Sequence, residues 1–586
     1  MTETGLPKKG SPHHGGAFLF SLFLLVFLFR FLPVLFSQTP PPGSKVGPEE
    51  EAFRKHKREL APERKPLIDY EVEEIPSGAI VETSFFVREI VVEGETPLKP
   101  SEIKKVLSPY ENKTLTLSGL REASRALTVA IRSRGFVTSR IYVPPQKVEE
   151  GVVHFSVLEG KLGKISVQGN KRFKEKFVKR LLKARSGQIL RYDRLEQDLL
   201  RLNTHPDREV RAVLLPGEAP ETSDLMLQVK ETFPVHLGYS FDNFGTRLTG
   251  RLRHGISFTH TNLLGLEDIL QSRFLLTDGG HFAGLSVDYL LPLTASTDLA
   301  FDYTFVDTRL GKELDDSKIR GKANIYSVTF LQRVIDYDRL EGSAYLGFDF
   351  KEIETTEDRR PNSRDNLRIL RLGPQLVERD KSGRTFFTSE FAFAFSGFLG
   401  ASDKVDRNSS RTEAGGQFFR SVLEFGRLQK LPYEMFLLQR LAAHLTPDKL
   451  PASEQMRVGG AETVRGYPEG DFLGERGLNI STELRFPCYL IPRAWRLPKS
   501  EVFVRDSLQL LSFFDLARVE TKGAPDLQNS NRTLAGLGMG LRLNLSRKII
   551  GRNLSARLDW GWPVGDRPSS SGKRRPRFHF SLSVSF

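Results

Sequence analysis

The chain has 586 residues, 27% of them charged and 39% hydrophobic, with a mean hydropathy of −0.31; this excludes a bundle of membrane-spanning helices. Eighty-six Lys and Arg against 72 Asp and Glu leave a net charge of +14, a balance compatible with nucleic acid, anionic lipid or an acidic partner. Cys488 is the only cysteine, so neither a disulfide framework nor a Cys-zinc cluster can form within the chain.

Residues 1–37 hold Lys8 and Lys9, then the apolar run Ala17–Phe36, interrupted by Arg30 and Pro33 and followed by Ser37. Basic start, apolar centre and polar exit predict an export signal. A permanent anchor is the alternative, because a run of roughly 20 residues can span a bilayer, although a central Arg is costly in hydrocarbon. Both readings send the remainder across the inner membrane. Residues 38–84 read as a Pro-rich linker around one very polar helix, Pro48–Leu60. Pro48 suits its first turn, and Glu50/Arg54 and Glu51/Lys55 stand at i,i+4 spacing. It has almost no apolar stripe, which leaves a solvated spacer or a helix in a water-filled lumen.

Residues 85–160 and 161–231 repeat one order: strand, helix, helix, strand, strand. In the first unit Val87–Gly94 alternates as a strand and Ser101–Leu107 is a short helix. Leu120, Ala123, Leu127 and Ile131 mark the face of a second helix, and Ser139–Val143 and Val152–Leu158 close as strands. In the second, Lys164–Gln168 is a strand and Phe173, Phe177, Val178 and Leu181 line a helix. Leu195, Leu199 and Leu202 line another, and Val210–Leu214 and Leu225–Val229 are strands. Consecutive units of one order are an internal repeat. Gly135–Gln146, Gly151–Gly160 and Leu202–Leu225 resemble the paired POTRA domains of the TpsB family, the outer-membrane transporters of two-partner secretion. The resemblance implies a periplasmic position and capture of an unfolded client, by adding a strand to an open sheet edge.

From residue 232 to 586 the pattern becomes segments of about ten residues that alternate apolar and small or polar, separated by Gly, Asp, Asn and Pro turns. Val235–Asp242 shows it, and the last strand shows it best: Phe578, Phe580, Leu582, Val584 and Phe586 alternate with His579, Ser581, Ser583 and Ser585. One face meets lipid and the other a wet interior. At roughly 22 residues per strand and connection, the segment predicts a closed antiparallel barrel of sixteen strands, which leaves no unpaired edge in lipid. The fold class is therefore α+β repeats followed by an all-β transmembrane barrel.

Enzyme motifs fail inspection. Gly536-Leu-Gly-Met-Gly540 sits in a strand without the strand–turn–helix context of a nucleotide site, and the histidines lack metal-ligand spacing. Neither catalytic nor metal residues nor a cofactor are expected. The strong signal is Gly459–Gly470, GGAETVRGYPEG, in which glycines flank Arg465 and permit a tight reversal; a buried Arg there needs an acidic or carbonyl partner. Val464, Arg465, Gly466 and Tyr467 resemble the VRGY motif of the sixth extracellular loop in TpsB and BamA-type barrels. That resemblance implies a loop folded into the barrel, with its Arg paired to the Asp of an F-x-D-x-G motif on a later strand. Here the motif reads Phe513-Phe514-Asp515-Leu516-Ala517, so Phe513 and Asp515 become the inner-wall partner, and Ala517 departs from the family glycine by one methyl. Asp242–Gly245, Gly250 and Asn262–Gly265 resemble the first hairpin of these transporters, and Glu483–Pro487 and Asp559–Val564 their late strands. Under the same resemblance, Glu50, Glu51, Arg54 and Lys55 belong to a plug helix of the resting pore, and Phe586 is the signal read by the barrel assembly machinery. The expected protein is an outer-membrane monomer that secretes a haemolysin- or haemagglutinin-like partner. It contacts outer-membrane lipid and binds no nucleic acid. A BamA-like insertase is the alternative.

Overall fold

The computed structural model describes residues 68–70, 84–136, 138–158, 160–203, 205–219, 222–294, 296–337, 339–489, 491–492, 507–523, 531–545, 553–569 and 572–586. The apolar run 17–36 and the polar segment 48–60, with Glu50, Glu51, Arg54 and Lys55, lie outside them.

Alternating sequence becomes sixteen antiparallel strands in chain order, Val235–Asp242 first and Arg577–Ser585 last, and those two pair to close the barrel. Outward positions such as Leu237, Tyr239 and Ile256 are exposed, whereas inward Asp242, Arg253 and Asp515 are buried in a polar interior. The closing seam has five register pairs, Gly238↔Ser585 to Asp242↔Ser581. Asn243 prolongs it with its side chain, donating to the Phe578 carbonyl at 2.8 Å and accepting from the Phe580 N–H at 2.9 Å. Phe586 donates its N–H to the Leu237 carbonyl at 2.8 Å. The seventh and eighth strands, Leu340–Glu357 and Arg360–Asp380, have 18 and 21 residues, about twice what a bilayer crossing needs. Their hairpin therefore stands well clear of the membrane. No helix among the described residues is long and apolar enough to span a membrane.

Both repeats build one topology. In the first, Glu89–Glu93 runs parallel to Val152–Leu158, which is antiparallel to Arg140–Tyr142. In the second, Lys161–Gln168 runs parallel to Thr222–Glu231, which is antiparallel to Arg208–Pro216. Helix Leu117–Arg132 starts at Thr116, whose hydroxyl accepts the Gly119 N–H at 3.3 Å, and buries Leu120, Ala123, Leu127 and Ile131 against Val153 and Phe155. Leu195, Leu199 and Leu202 of helix Tyr192–Leu202 do the same against Val210, Ala212 and Leu227.

Two local readings change. The expected strand Val87–Gly94 is split, since Phe85–Val87 pairs instead with Lys113–Leu115. Phe173 precedes its helix, which runs Glu175–Leu181. The Glu231 carboxylate accepts the backbone N–H groups of Lys171, Arg172 and Phe173 and holds them in a turn. Phe173 is still core, edge-on to His205 and beneath the Arg208 guanidinium. A further strand, Ile68–Tyr70, lies parallel to Ala212–Leu214 and covers part of that sheet edge.

The second repeat meets the periplasmic end of the barrel at turn 261–268. Asp207 accepts from the Thr232 hydroxyl at 2.8 Å, the Thr261 hydroxyl at 2.6 Å and His236 Nε2 at 2.6 Å. His205 Nε2 donates to the Thr261 carbonyl at 2.7 Å, while its Nδ1 accepts the Asp207 N–H at 3.1 Å. The fully buried Arg208 pairs with Glu267, and Arg201 with Asp336 at 2.6 Å. Burial drives the His205 imidazole down to about 4. For Asp207 burial alone would raise the pKa, but hydrogen bonds from His236, Thr261 and Thr232 outweigh it and hold the carboxyl at about 2.

Candidate functional site

The connection between the eleventh strand, Phe436–Leu445, and the twelfth, Arg476–Pro487, is the sixth extracellular loop. It turns inward. A short hairpin, Met456–Val458 with Phe472–Gly474, carries the reversal 459–471 to its tip. Gly466 sits at φ +96, in the left-handed region that side chains avoid, and its N–H donates to His579 Nε2 at 3.2 Å.

Arg465 is only 2% exposed. Its Nε and Nη2 each reach one oxygen of Asp515 at 2.7 Å, a bidentate fork, and its backbone N–H donates to Asp515 Oδ2 at 3.1 Å. Nη1 donates to Glu483 Oε1 at 2.6 Å and lies 3.6 Å from Asp559 Oδ2. The guanidinium stacks 3.5 Å from the Phe513 ring centre. Around this core Arg485 binds Glu483, Arg542 and Arg557 bind Asp559, and Arg557 also binds Glu462 of the loop at 2.7 Å. Four arginines thus meet four carboxylates in one connected set, which answers the desolvation each ion suffers. The register explains the convergence: Ser481 is opposite Asp515, Asp515 is opposite Gly536, and Gly540 is opposite Asp559, all on the inward face.

Shape completes the fit. A side-chain carbon on Gly536 would stand 2.1 Å from the Arg465 carbonyl oxygen, and one on Gly561 would stand 2.7 Å from the Gly466 nitrogen. Val464 and Tyr467 are fully buried against Val519, Leu534 and the methyl of Ala517. The substitution of Ala for the family glycine therefore fills an apolar contact. Tyr467 donates its hydroxyl to the Asp566 carbonyl at 2.7 Å. A second fastening holds the loop's near end: buried Glu454 accepts from Lys351 and Arg420, each at 2.7 Å, on the seventh and tenth strands.

The structure thus brings Val464, Arg465, Gly466, Tyr467, Phe513 and Asp515 together, with Phe586 remote at the seam. Sequence reasoning passed over Glu483, Asp559, His579, Gly536, Gly561 and Glu454 as parts of this site. Inward parity was the available signal for the first two, since Glu483 and Asp559 alternate with the outward residues Leu484 and Trp560. Glu454 carries no such signal.

The family model described as "Haemolysin secretion/activation protein ShlB/FhaC/HecB" matches residues 221–543. The chain belongs to that family. A ShlB-type POTRA model matches 85–160, and a second POTRA model, described as "Surface antigen variable number repeat", matches 161–205. Among relatives, the outer membrane transporter CdiB of Dickeya dadantii is 24% identical over 494 residues, 82% of this chain and 83% of its own. The hemolysin transporter protein ShlB of Serratia marcescens is 22% identical over 498 residues, 81% of each chain. Of solved structures, CdiB from Escherichia coli matches with a TM-score of 0.65 at 20% identity, covering 94% of this chain and all of that one. BamA from Haemophilus ducreyi lacking POTRA domains 1–3 follows at 0.56 and 14%, covering 86% and 100%; both likenesses concern the fold. Membership places this chain among the outer-membrane transporters of two-partner secretion, with POTRA domains ahead of a sixteen-stranded barrel.

Proposed function

We propose that this transporter moves an unfolded, β-rich partner protein of haemolysin or haemagglutinin type from the periplasm through its own barrel, and that the Val464–Tyr467 tip governs the passage. The observation that carries the reading is the Arg465 fork on Asp515, which fastens the sixth loop to the inner wall. A client captured by strand addition would use the far part of the Lys161–Gln168 edge, residues 165–168, which ends its sheet beyond the pairing of Leu162 with residues 187–188. With no nucleotide available in the periplasm, folding of the client outside supplies the direction. A folding-dead client should stall, and its export at the normal rate would sink this energetic account. Residues 1–37 act as signal or anchor, and Glu49–Leu60 plugs the resting pore; deleting 49–60 should raise single-channel conductance in planar bilayers. Phe586 serves the barrel assembly machinery, so its deletion should lower barrel levels.

The decisive experiment compares the secreted proteins of cells with and without this chain, while outer-membrane barrels are followed in the same samples. Loss of one or a few large β-rich proteins from the medium supports secretion. A general fall of other barrels would assign the chain to BamA-like assembly instead.

A further inference from the structure

Where the second POTRA unit meets the barrel there is a cleft of about 360 Å³ whose lining includes Arg172, Lys174, Phe233, His260, Leu263 and Leu264. We propose that it binds the headgroup and upper acyl chains of a glycerophospholipid in the periplasmic leaflet of the outer membrane, with preference for an anionic headgroup.

The register fixes its height. Across the first hairpin the outward pairs are Tyr239↔Ile256, Leu237↔Phe258 and Val235↔His260. The column is apolar until its last member, and His260 marks the change from hydrocarbon to headgroup on the lipid-facing side. Just beyond, Phe233 is 66% exposed and Leu263 and Leu264 are each 51% exposed. Three large apolar side chains gathered at one rim would be costly in water, but at a bilayer interface they are covered by acyl carbon.

The charge at that level is cationic. Arg172 stands 5.4 Å over the Phe233 ring, so one side chain presents an apolar face to lipid while the other presents a guanidinium to phosphate. Lys174 makes no ion pair among the described residues. The Glu231 carboxylate is buried and accepts three backbone N–H groups of residues 171–173, with the Arg172 guanidinium at 3.8 Å, and Glu175 is paired with Lys179 at 2.7 Å. Asp268 is turned inward to the Leu264 N–H and the Tyr289 hydroxyl. Two cations therefore face outward beside three apolar tips, the pattern of an interfacial lipid site.

The cleft is built, not incidental. The Asn262 amide donates to the Arg172 carbonyl at 3.2 Å, and the Lys174 N–H reaches the Gly265 carbonyl at 3.4 Å. Gly265 stands at φ +77, a conformation side chains rarely adopt, and a Cβ there would press on the Arg172 carbonyl oxygen at 3.1 Å. Both walls are thus held in register by the junction itself. A lipid in the cleft would bridge the periplasmic unit to the membrane.

Two measurements on the full-length protein test this. In nanodiscs containing a photo-activatable phosphatidylglycerol, cross-links should concentrate on residues 260–265 and fall at least fivefold in the double variant R172E/K174E, whose heat-modifiable gel mobility remains that of the folded barrel. In detergent, native mass spectrometry should show phosphatidylglycerol adducts on the parent protein, reduced at least fivefold in the variant and undiminished by inorganic phosphate. Equal labelling of both proteins overturns the site. Displacement by inorganic phosphate would make it a soluble-anion site, and protection of residues 260–265 by the secreted partner but not by phosphatidylglycerol would assign the cleft to that partner. Either outcome overturns the lipid proposal and leaves the secretion reading intact.

Discussion

Two parts are fastened to the same barrel at opposite ends, one mainly by ion pairs and the other by ion pairs joined to hydroxyls and histidines. At the loop tip the polar core is ionic, with Arg465 meeting Asp515, Glu483 and Asp559. At the periplasmic junction Asp207 is held by two hydroxyls and an imidazole, and His205 bridges as a neutral ring. An ionic fastening costs much to break by mutation, since a guanidinium stays charged at any physiological pH and its removal strands buried carboxylates. A contact made through the buried, neutral His205 answers to pH, whereas at the tip His579 only accepts the Gly466 N–H beside a set of ion pairs. The Arg465 fork on Asp515 therefore keeps its charge across the physiological range, whereas the His205 contact is loosened by protons.

The largest effect is expected from Arg465→Ala. Losing one partner of a buried pair costs about 3–5 kcal/mol, here of loop–wall adhesion, while the barrel's strand ladder is untouched. Secretion should cease although the protein keeps the heat-modifiable mobility of a folded barrel; normal secretion by this variant would refute the role given to the fork.

The next effect falls on the other fastening. His205 Nδ1 accepts the Asp207 N–H, so protonation there breaks a bond and charges a buried ring. With a docked pKa of about 4 against an ordinary 6.5, its contribution is complete at neutral pH. It is lost progressively as pH falls from 6.5 to 4, by at most about 3 kcal/mol. Asp207, held at about 2, keeps its contribution until pH falls below its ordinary value of 3.8, whereas burial lifts the Glu267 carboxyl above its ordinary 4.5 with the opposite sign, so the His205 share of the window between 6.5 and 4 is the part that His205→Gln removes. Hydrogen exchange at residues 261–268 should accelerate across that window while the Arg465 region stays protected, and His205→Gln should flatten the response. Equal acceleration at both ends would erase the contrast.

Much of this was legible in the chain. Alternation over residues 232–586 and ordinary strand economy were enough to count the barrel strands, because lipid on one side and water on the other leave a residue little choice. The pair Arg465 and Asp515 came through resemblance of two short motifs. Glu483 and Asp559 stood in phrases already singled out, yet nothing local linked them to Arg465, since their meeting depends on register across four strands. Glu454 was invisible: its partners Lys351 and Arg420 lie 103 and 34 residues earlier in the chain, on the seventh and tenth strands, and a lone Glu in a polar loop has no distinguishing pattern. Phe173 misled because its spacing fits the following helix, whereas the Glu231 carboxylate, nearly sixty residues away, captures the amides that would have begun it.

Steric fit ranks below charge in this comparison, and two substitutions measure it. Gly536→Ala places a methyl 2.1 Å from the Arg465 carbonyl oxygen, which the rigid strand cannot yield. Overpacking of this kind costs about 1–3 kcal/mol, so the tip should lift and the loop become more sensitive to external protease, with the junction at residues 261–268 unchanged.

Ala517→Gly makes the opposite change and should have the smallest effect. It removes a fully buried methyl that touches the cluster of Val464, Tyr467, Val519 and Leu534, and it frees the backbone of a strand. Each costs of the order of 1 kcal/mol or less, far below the loss of Arg465. The methyl packs on the loop, not only on its own strand, so protease sensitivity of the loop should rise slightly while the barrel's heat-modifiable transition barely moves. In an Arg465→Ala background, where the tip has already left the wall, the same Ala517→Gly change should have no further effect on the loop. An additive effect there would mean that the methyl acts only within the sheet, and that charge alone holds the tip.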